Sequence, residues 1–143
     1  MTIHDTRPLG SIKVLTYDLA DLLALAGPDA LASSWSCEMV ECFGPGAGEM
    51  HRAADAGPIA GVRLAELAAG VTQTIDGEFE ATSPGEDRPW LVLRCIDGCY
   101  FVLVTRSAPL LAAVRRRFQD VRPAPEDAAW YAEPGAAADG GGG

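Results

Sequence analysis

Cys95-Ile-Asp-Gly-Cys-Tyr-Phe-Val-Leu-Val104 (CIDGCYFVLV) places an Asp-Gly pair between two apolar runs. This pattern predicts a β-hairpin with a two-residue turn, because both central residues of a type I′ turn take positive φ angles that Asp and Gly tolerate. Ile96 would then pair with Cys99 across the turn. Counting outward, Cys95 pairs with Tyr100 and Arg94 with Phe101.

The predicted hairpin is apolar on both faces. Residues that pair across two strands share a face, and successive residues along a strand alternate between faces. One face, which we expect to be core, would carry Leu91, Leu93, Cys95, Tyr100, Val102 and Val104. The other would carry Trp90, Val92, Arg94, Ile96, Cys99, Phe101 and Leu103. Either helices cover this second set, or it forms a binding surface.

The four cysteines do not form a metal-binding or redox pattern. In the predicted hairpin Cys95 and Cys99 point to opposite faces, so they cannot hold one metal ion together. The same alternation separates Cys37 from Cys42 if their strand is regular. Neither pair has the CxxC spacing of zinc or thioredoxin-type sites. We therefore expect reduced thiols, no metal and no cofactor.

Capping residues and apolar spacing predict the helices. Asp18 precedes a helix that ends near residue 27, and Ser107 precedes another with proline in its first turn. Residues 49–55 indicate a short helix. Residues 60–75 have apolar side chains three and four apart, which predicts an amphipathic helix, and the β-branched residues at 71–75 leave a strand there as the alternative.

The elements follow one another as β-α-β-α-α-β-β-β-α, an order that predicts a single small α+β domain. We expect a mainly antiparallel sheet of three to five strands packed with about four helices. The domain should span residues 11–122, after a flexible N-terminus at 1–10 and before a Pro-, Ala- and Gly-rich tail at 123–143.

The charge balance favours a basic partner. Twenty Asp and Glu residues against 11 Lys and Arg give a formal net charge of −9 at pH 7. That field repels nucleic acid and attracts basic proteins. No apolar run approaches the roughly 18 residues of a membrane helix, and the first residues do not resemble a signal peptide. We therefore expect a cytoplasmic protein that binds neither nucleic acid nor membranes, and the strong preference for Arg over Lys indicates a bacterial source.

Catalysis has little support in the sequence. The motifs of serine hydrolases, zinc proteases, zinc deaminases and phosphate-binding loops do not occur in it. His51 is the weak candidate for a catalytic base, because His4 lies in the predicted flexible start. An enzyme is therefore an alternative and not the favoured interpretation.

We expect noncovalent binding through the second hairpin face. Its contact residues would be Trp90, Val92, Arg94, Phe101 and Leu103, with Glu78 and Glu80 as an acidic rim. A basic protein is the predicted partner, as for the inhibitors of toxins called immunity proteins. A homodimer through the same face, or a small-molecule pocket between sheet and helices, are the alternatives.

Overall fold

The computed structural model describes residues 1–124, so positions 125–143 of the predicted tail lie outside the described residues. The five helices of the described part are α1 (Leu19–Ala26), α2 (Pro28–Ala32), α3 (Ala47–Asp55), α4 (Gly61–Ala69) and α5 (Ala108–Arg117). Its nine strands are β1 (Thr2–Ile3), β2 (Thr6–Leu9), β3 (Ile12–Leu15), β4 (Ser34–Phe43), β5 (Ile59–Ala60), β6 (Gln73–Thr82), β7 (Pro89–Ile96), β8 (Tyr100–Thr105) and β9 (Val121–Arg122).

Seven of these strands form one antiparallel sheet in the order β5-β4-β6-β7-β8-β1-β9. β2 and β3 form a separate antiparallel hairpin. The prediction of three to five strands and about four helices is therefore wrong, although the α+β composition and the antiparallel pairing agree with the structure. Much of the difference comes from β1, β5 and β9, which have two residues each and are too short to show an alternating pattern in the sequence.

The N-terminal residues take part in the main sheet, where the sequence predicts a flexible segment. β1 lies between β8 and β9, and Ile3 is fully buried. The hydroxyl of Tyr17 donates a hydrogen bond to the carbonyl of Ile3 and accepts one from the backbone N–H of Phe101 at 3.2 Å. Tyr17 therefore links β1 to β8 from the core side. Sequence periodicity could not reveal this long-range contact.

The segment 60–75 contains a helix and the start of a strand. α4 ends at Ala69, and β6 begins at Gln73, so the strand alternative applies to residues 73–75. Asp18 connects the start of α1 to the start of β6. Its carboxylate accepts hydrogen bonds from the backbone N–H of Leu19 at 2.7 Å, and from the N–H and hydroxyl of Thr74 at 2.9 and 2.6 Å. The predicted cap of α1 thus also holds α1 against β6.

All five helices pack on the same face of the main sheet. Their buried side chains join one hydrophobic cluster with the sheet residues Ile3, Trp35, Cys37, Phe79, Ala81, Leu91, Leu93, Cys95, Phe101 and Leu103. Val92 and Val102 are also buried but do not belong to that cluster. They lie on the opposite face, which we call the second face.

The turn between β7 and β8 lies where the sequence predicts it, but the pairing register differs by one residue. Asp97 and Gly98 have φ angles of 51° and 66°, and the N–H of Cys99 donates to the carbonyl of Ile96 at 2.8 Å. Ile96 nevertheless pairs with Tyr100, and Cys95 with Phe101. Cys99 is therefore an extra loop residue.

Contacts with β6 account for this longer loop. The N–H of Gly98 donates to the carbonyl of Ile75 at 2.8 Å, and the N–H of Asp97 donates to the carboxylate of Asp76 at 3.1 Å. The loop is thus held against a neighbouring strand instead of closing on itself. Because side chains alternate, the one-residue shift moves every β8 side chain to the face opposite the predicted one.

β4 contains an irregularity that also reverses side-chain direction. Its pairing with β6 shifts between Glu38 and Glu41, and Met39 has a φ of 51°, as expected for a β-bulge. Cys37 and Cys42 are consequently both buried on the core face. The alternation that separates them applies only to a regular strand.

Candidate functional site

The second face of the main sheet is the best candidate for a binding surface. In the described part of the chain, no helix contributes to packing on it, since the helices all join the core on the other side. From the strand register, its central residues are Ser36 and Glu38 on β4, Glu78 and Glu80 on β6, Val92 and Arg94 on β7, and Val102 and Val104 on β8. The second face therefore carries both small apolar and charged side chains.

The structure separates the predicted contact residues into two groups. Phe101 is fully buried and Leu103 is 2% exposed, and both face the helices, so their predicted place on the second face is wrong. A register shift between Ala81 and Thr82 interrupts the regular pairing beside Trp90. The Trp90 side chain packs against the core, and its Nε1 donates a hydrogen bond to the Ser33 hydroxyl at 2.9 Å. These three residues stabilise the core side of the sheet.

The other four predicted residues do lie together on the second face. Glu78 is opposite Arg94, and Glu80 is opposite Val92, across β6 and β7. Val92 is only 2% exposed, whereas the two glutamates and Arg94 are half-buried. Trp90 and Phe101 therefore do not supply the predicted aromatic centre, and three of the four predicted residues on this face are charged.

Glu38 adds a third carboxylate that the sequence analysis did not select. It is exposed on β4 and lies directly opposite Glu78. Glu78 and Glu80 are two residues apart on β6 and therefore share a face. The pKa of Glu80 is raised. Burial is the largest cause, and a hydrogen bond with Glu78 and the negative charges of Glu78 and Glu38 add to it. The three carboxylates thus form one electrostatically coupled group, the acidic group of the second face.

A different mixture of side chains occurs towards the β1 edge of this face. His4 stacks on Tyr100 with ring centroids 4.7 Å apart, and its Nε2 lies 2.8 Å from the hydroxyl of Thr2. The pKa of His4 is lowered, mainly by burial and to a smaller extent by the positive charge of Arg122. Arg122 in turn binds Asp120 at 2.9 Å. Asp120 and Arg122 therefore pair with each other at this edge.

The weak catalytic candidate, His51, lies beside a thiol. Its Nε2 is 3.6 Å from the Sγ of Cys42. A cysteine nucleophile must reach the thiolate form. The pKa of Cys42 is raised, mainly by burial and to a smaller extent by the charge of Asp18, which disfavours the thiolate. The side chain is also only 4% exposed. This pair therefore has the proximity of a catalytic dyad but not the electrostatics or the access that one requires.

The described residues offer no assembled metal centre. All four cysteines are free thiols, and only Cys99 is exposed. Burial raises the pKa of Cys37 and of Cys95 to about 12 in each case. Between residues 1 and 124, no three His, Cys, Asp or Glu side chains converge closely enough to hold an ion.

A cleft of about 410 Å³ lies between the β2–β3 hairpin and the helices α1 and α4. Apolar side chains such as Leu9, Val14 and Val71 line it together with Arg7 and Asp21. Its size falls in the range of small-molecule sites. None of the predicted site residues lines this cleft, so it is separate from the second face.

No protein-family model matches the sequence, and no curated protein or solved structure matches the chain. None of the helices in residues 1–124 combines the length and the apolar character needed to cross a bilayer. Functional inference for this chain consequently depends on the geometry and charge of its own residues.

Proposed function

We propose that the protein binds a basic polypeptide noncovalently through the second face of its sheet, as a small cytosolic bacterial binding protein. The observation that carries the proposal is the acidic group formed by Glu38, Glu78 and Glu80 on a face that no described helix covers. The three carboxylates are neighbours on this face, and Glu78 lies opposite Arg94 on β7. A partner that brings Lys or Arg side chains would reduce their mutual repulsion.

The overall charge supports the same kind of partner. A net charge of −9 attracts a basic protein over a distance set by the ionic strength, and the acidic group would then orient it. Inhibitors of basic toxins work in this manner in general terms, and such a role would fit this chain. A face-to-face homodimer is less favourable, because it would bring two copies of the acidic group together.

The experiment compares two double variants that each remove two negative charges. Glu38→Gln with Glu80→Gln neutralises part of the acidic group, whereas Glu49→Gln with Glu66→Gln neutralises two exposed glutamates on α3 and α4. The probe is the capped heptapeptide Lys-Lys-Val-Lys-Lys-Val-Lys, which carries lysine on both faces when it is extended, and it is titrated by calorimetry at low salt. Both variants change the net charge equally, so a difference in their affinities for the peptide shows that the position of the removed charges matters.

We expect the wild-type protein to bind the heptapeptide in a salt-dependent manner. The second-face variant should bind about tenfold more weakly, and the helix-side variant should change affinity less than about twofold. Equal losses in the two variants would mean that only the overall charge attracts the peptide. Absence of binding by the wild-type protein would contradict the proposal directly.

A further inference from the structure

Among the described residues, most of the outer edge of β4 has no strand paired with it. β4 contains ten residues, but its outer neighbour β5 pairs only with Ser34 and Trp35. Pro58 precedes β5 and has no backbone N–H, so the chain cannot extend that pairing in the usual way. Along residues 36–41, no backbone group of the described chain bonds to the outer side of β4. These backbone groups are available to an added strand.

Two exposed acidic side chains and an exposed methionine lie along this edge. Met39 is 76% exposed and lies at the bulge, between the exposed residues Glu38 and Glu41. An exposed apolar side chain on an edge strand attracts other strands, whereas a bulge and flanking charges restrict which strands can bind. The edge is therefore selective for its partner.

A pocket of about 250 Å³ lies beside the edge, between β4 and α3. Val40 and Ala54 give it an apolar part, and Glu41, Asp55 and His51 give it a polar part. A Lys or Arg side chain has an aliphatic stem and a cationic end, so it matches both parts. Strand-binding sites commonly combine backbone hydrogen bonds with pockets of this kind for alternate side chains.

A second copy of the chain is a poor occupant of this edge. Two β4 edges paired about a two-fold axis would place Glu38 and Glu41 close to their own copies, between two molecules that each carry a net charge of −9. A strand from a basic protein would instead bring opposite charges to both sides of the sheet. One set of its side chains would reach the pocket and the other set would approach the acidic group.

We infer that the basic partner adds an extended segment to the outer edge of β4 around residues 36–38, with a Lys or Arg side chain in the pocket between β4 and α3. This inference rests on the proposed function, because it specifies how the same acidic surface engages its partner. It adds a requirement that charge attraction alone does not impose: the partner must offer backbone N–H groups to β4.

The test uses the same heptapeptide and two isomeric derivatives of it. One isomer carries backbone N-methyl groups at peptide positions 2, 4 and 6, and the other carries them at positions 3, 5 and 7. Both keep the full charge, but each loses three N–H groups on one edge of the peptide strand. The wild-type protein is used throughout, so no variant can fail to fold.

We expect at least one isomer to bind about tenfold more weakly than the parent peptide, since it loses two or more backbone hydrogen bonds. The parent peptide should also slow hydrogen exchange at the backbone amides of residues 36–41. Two protein variants test whether a Lys side chain of the peptide occupies the pocket. Glu41→Gln should weaken binding severalfold, and the control Glu86→Gln, in the exposed loop after β6, should leave it unchanged.

Equal binding of the parent and both isomers would overturn strand addition. If the Glu38→Gln and Glu80→Gln changes still weakened binding in that case, the acidic group would remain the docking surface and only the edge inference would fail. Failure of the parent peptide to bind would overturn both.

Discussion

Glu38 and Glu78 lie directly opposite each other on β4 and β6, with Glu80 on the same face two residues further along β6. Like charges at paired positions destabilise a sheet. We therefore expect the juxtaposition of Glu38 and Glu78 on the second face to cost folding free energy. The following predictions test this account of the face and of the core beneath it.

The first prediction is that Glu38→Gln stabilises the isolated protein. Removing one of two opposed charges should raise the free energy of unfolding by about 0.5 kcal/mol. Urea denaturation at low salt measures the change, and added salt should reduce it. Glu86→Gln is the control, since Glu86 lies in a loop away from the acidic group. A destabilised Glu38→Gln protein would show that the carboxylate has a stabilising role instead.

The second prediction concerns pH. The pKa of Glu80 in the folded state is raised above the usual value for a glutamate, so the folded protein binds a proton at this group more tightly than the unfolded chain does. Stability contributed by this group is therefore present at low pH and is lost as the pH rises through that raised pKa. Glu80→Gln should accordingly stabilise the protein more near pH 7 than near pH 4. A gain that is the same at both pH values, or larger at the lower one, would contradict the assigned shift.

The third prediction separates the core face from the second face. Phe101 is fully buried and lies 5.7 Å, between ring centroids, from Tyr17. Phe101→Ala should lower the free energy of unfolding by about 3–5 kcal/mol. Val104→Ala, at a half-buried position on the second face, should cost less than about 1.5 kcal/mol. If Phe101→Ala were nearly neutral for stability, Phe101 could not be a core residue.

The hairpin shows what the sequence could and could not establish. The turn at Asp97 and Gly98, the cap at Asp18 and the cap at Ser107 were predictable because each depends on local chemistry. The register was not, because it depends on a hydrogen bond from Gly98 to Ile75, far away in the sequence. One misplaced residue exchanged the two faces of β8, which put Phe101 and Leu103 in the wrong environment.

The same distinction applies to the candidate site. Glu78 and Glu80 lie on the second face because β6 alternates regularly there, and that alternation is visible in the sequence. Glu38 was missed because only the pairing of β4 with β6 brings it beside them. The bulge at Met39 also had no local signal, so the shared burial of Cys37 and Cys42 could not be predicted.

The fourth prediction uses the thiols as reporters of burial. Only Cys99 is exposed, while burial raises the pKa of Cys37, Cys42 and Cys95. A thiol-reactive disulfide reagent near pH 8 should therefore label one cysteine rapidly in the native protein and all four after denaturation. Cys99→Ser should remove the rapid phase. Rapid labelling of a second site would mean that the core around β4 or β7 is open.

The central claim is that a basic polypeptide binds the second face, and nuclear magnetic resonance mapping tests it most directly. The same capped heptapeptide is titrated into the ¹⁵N-labelled protein, and backbone amide shifts are followed. We predict the largest shifts at Glu38, Glu78, Glu80 and Arg94, with small shifts in α1 and α4. Shifts confined to the helices, or spread evenly over all exposed amides, would contradict the account.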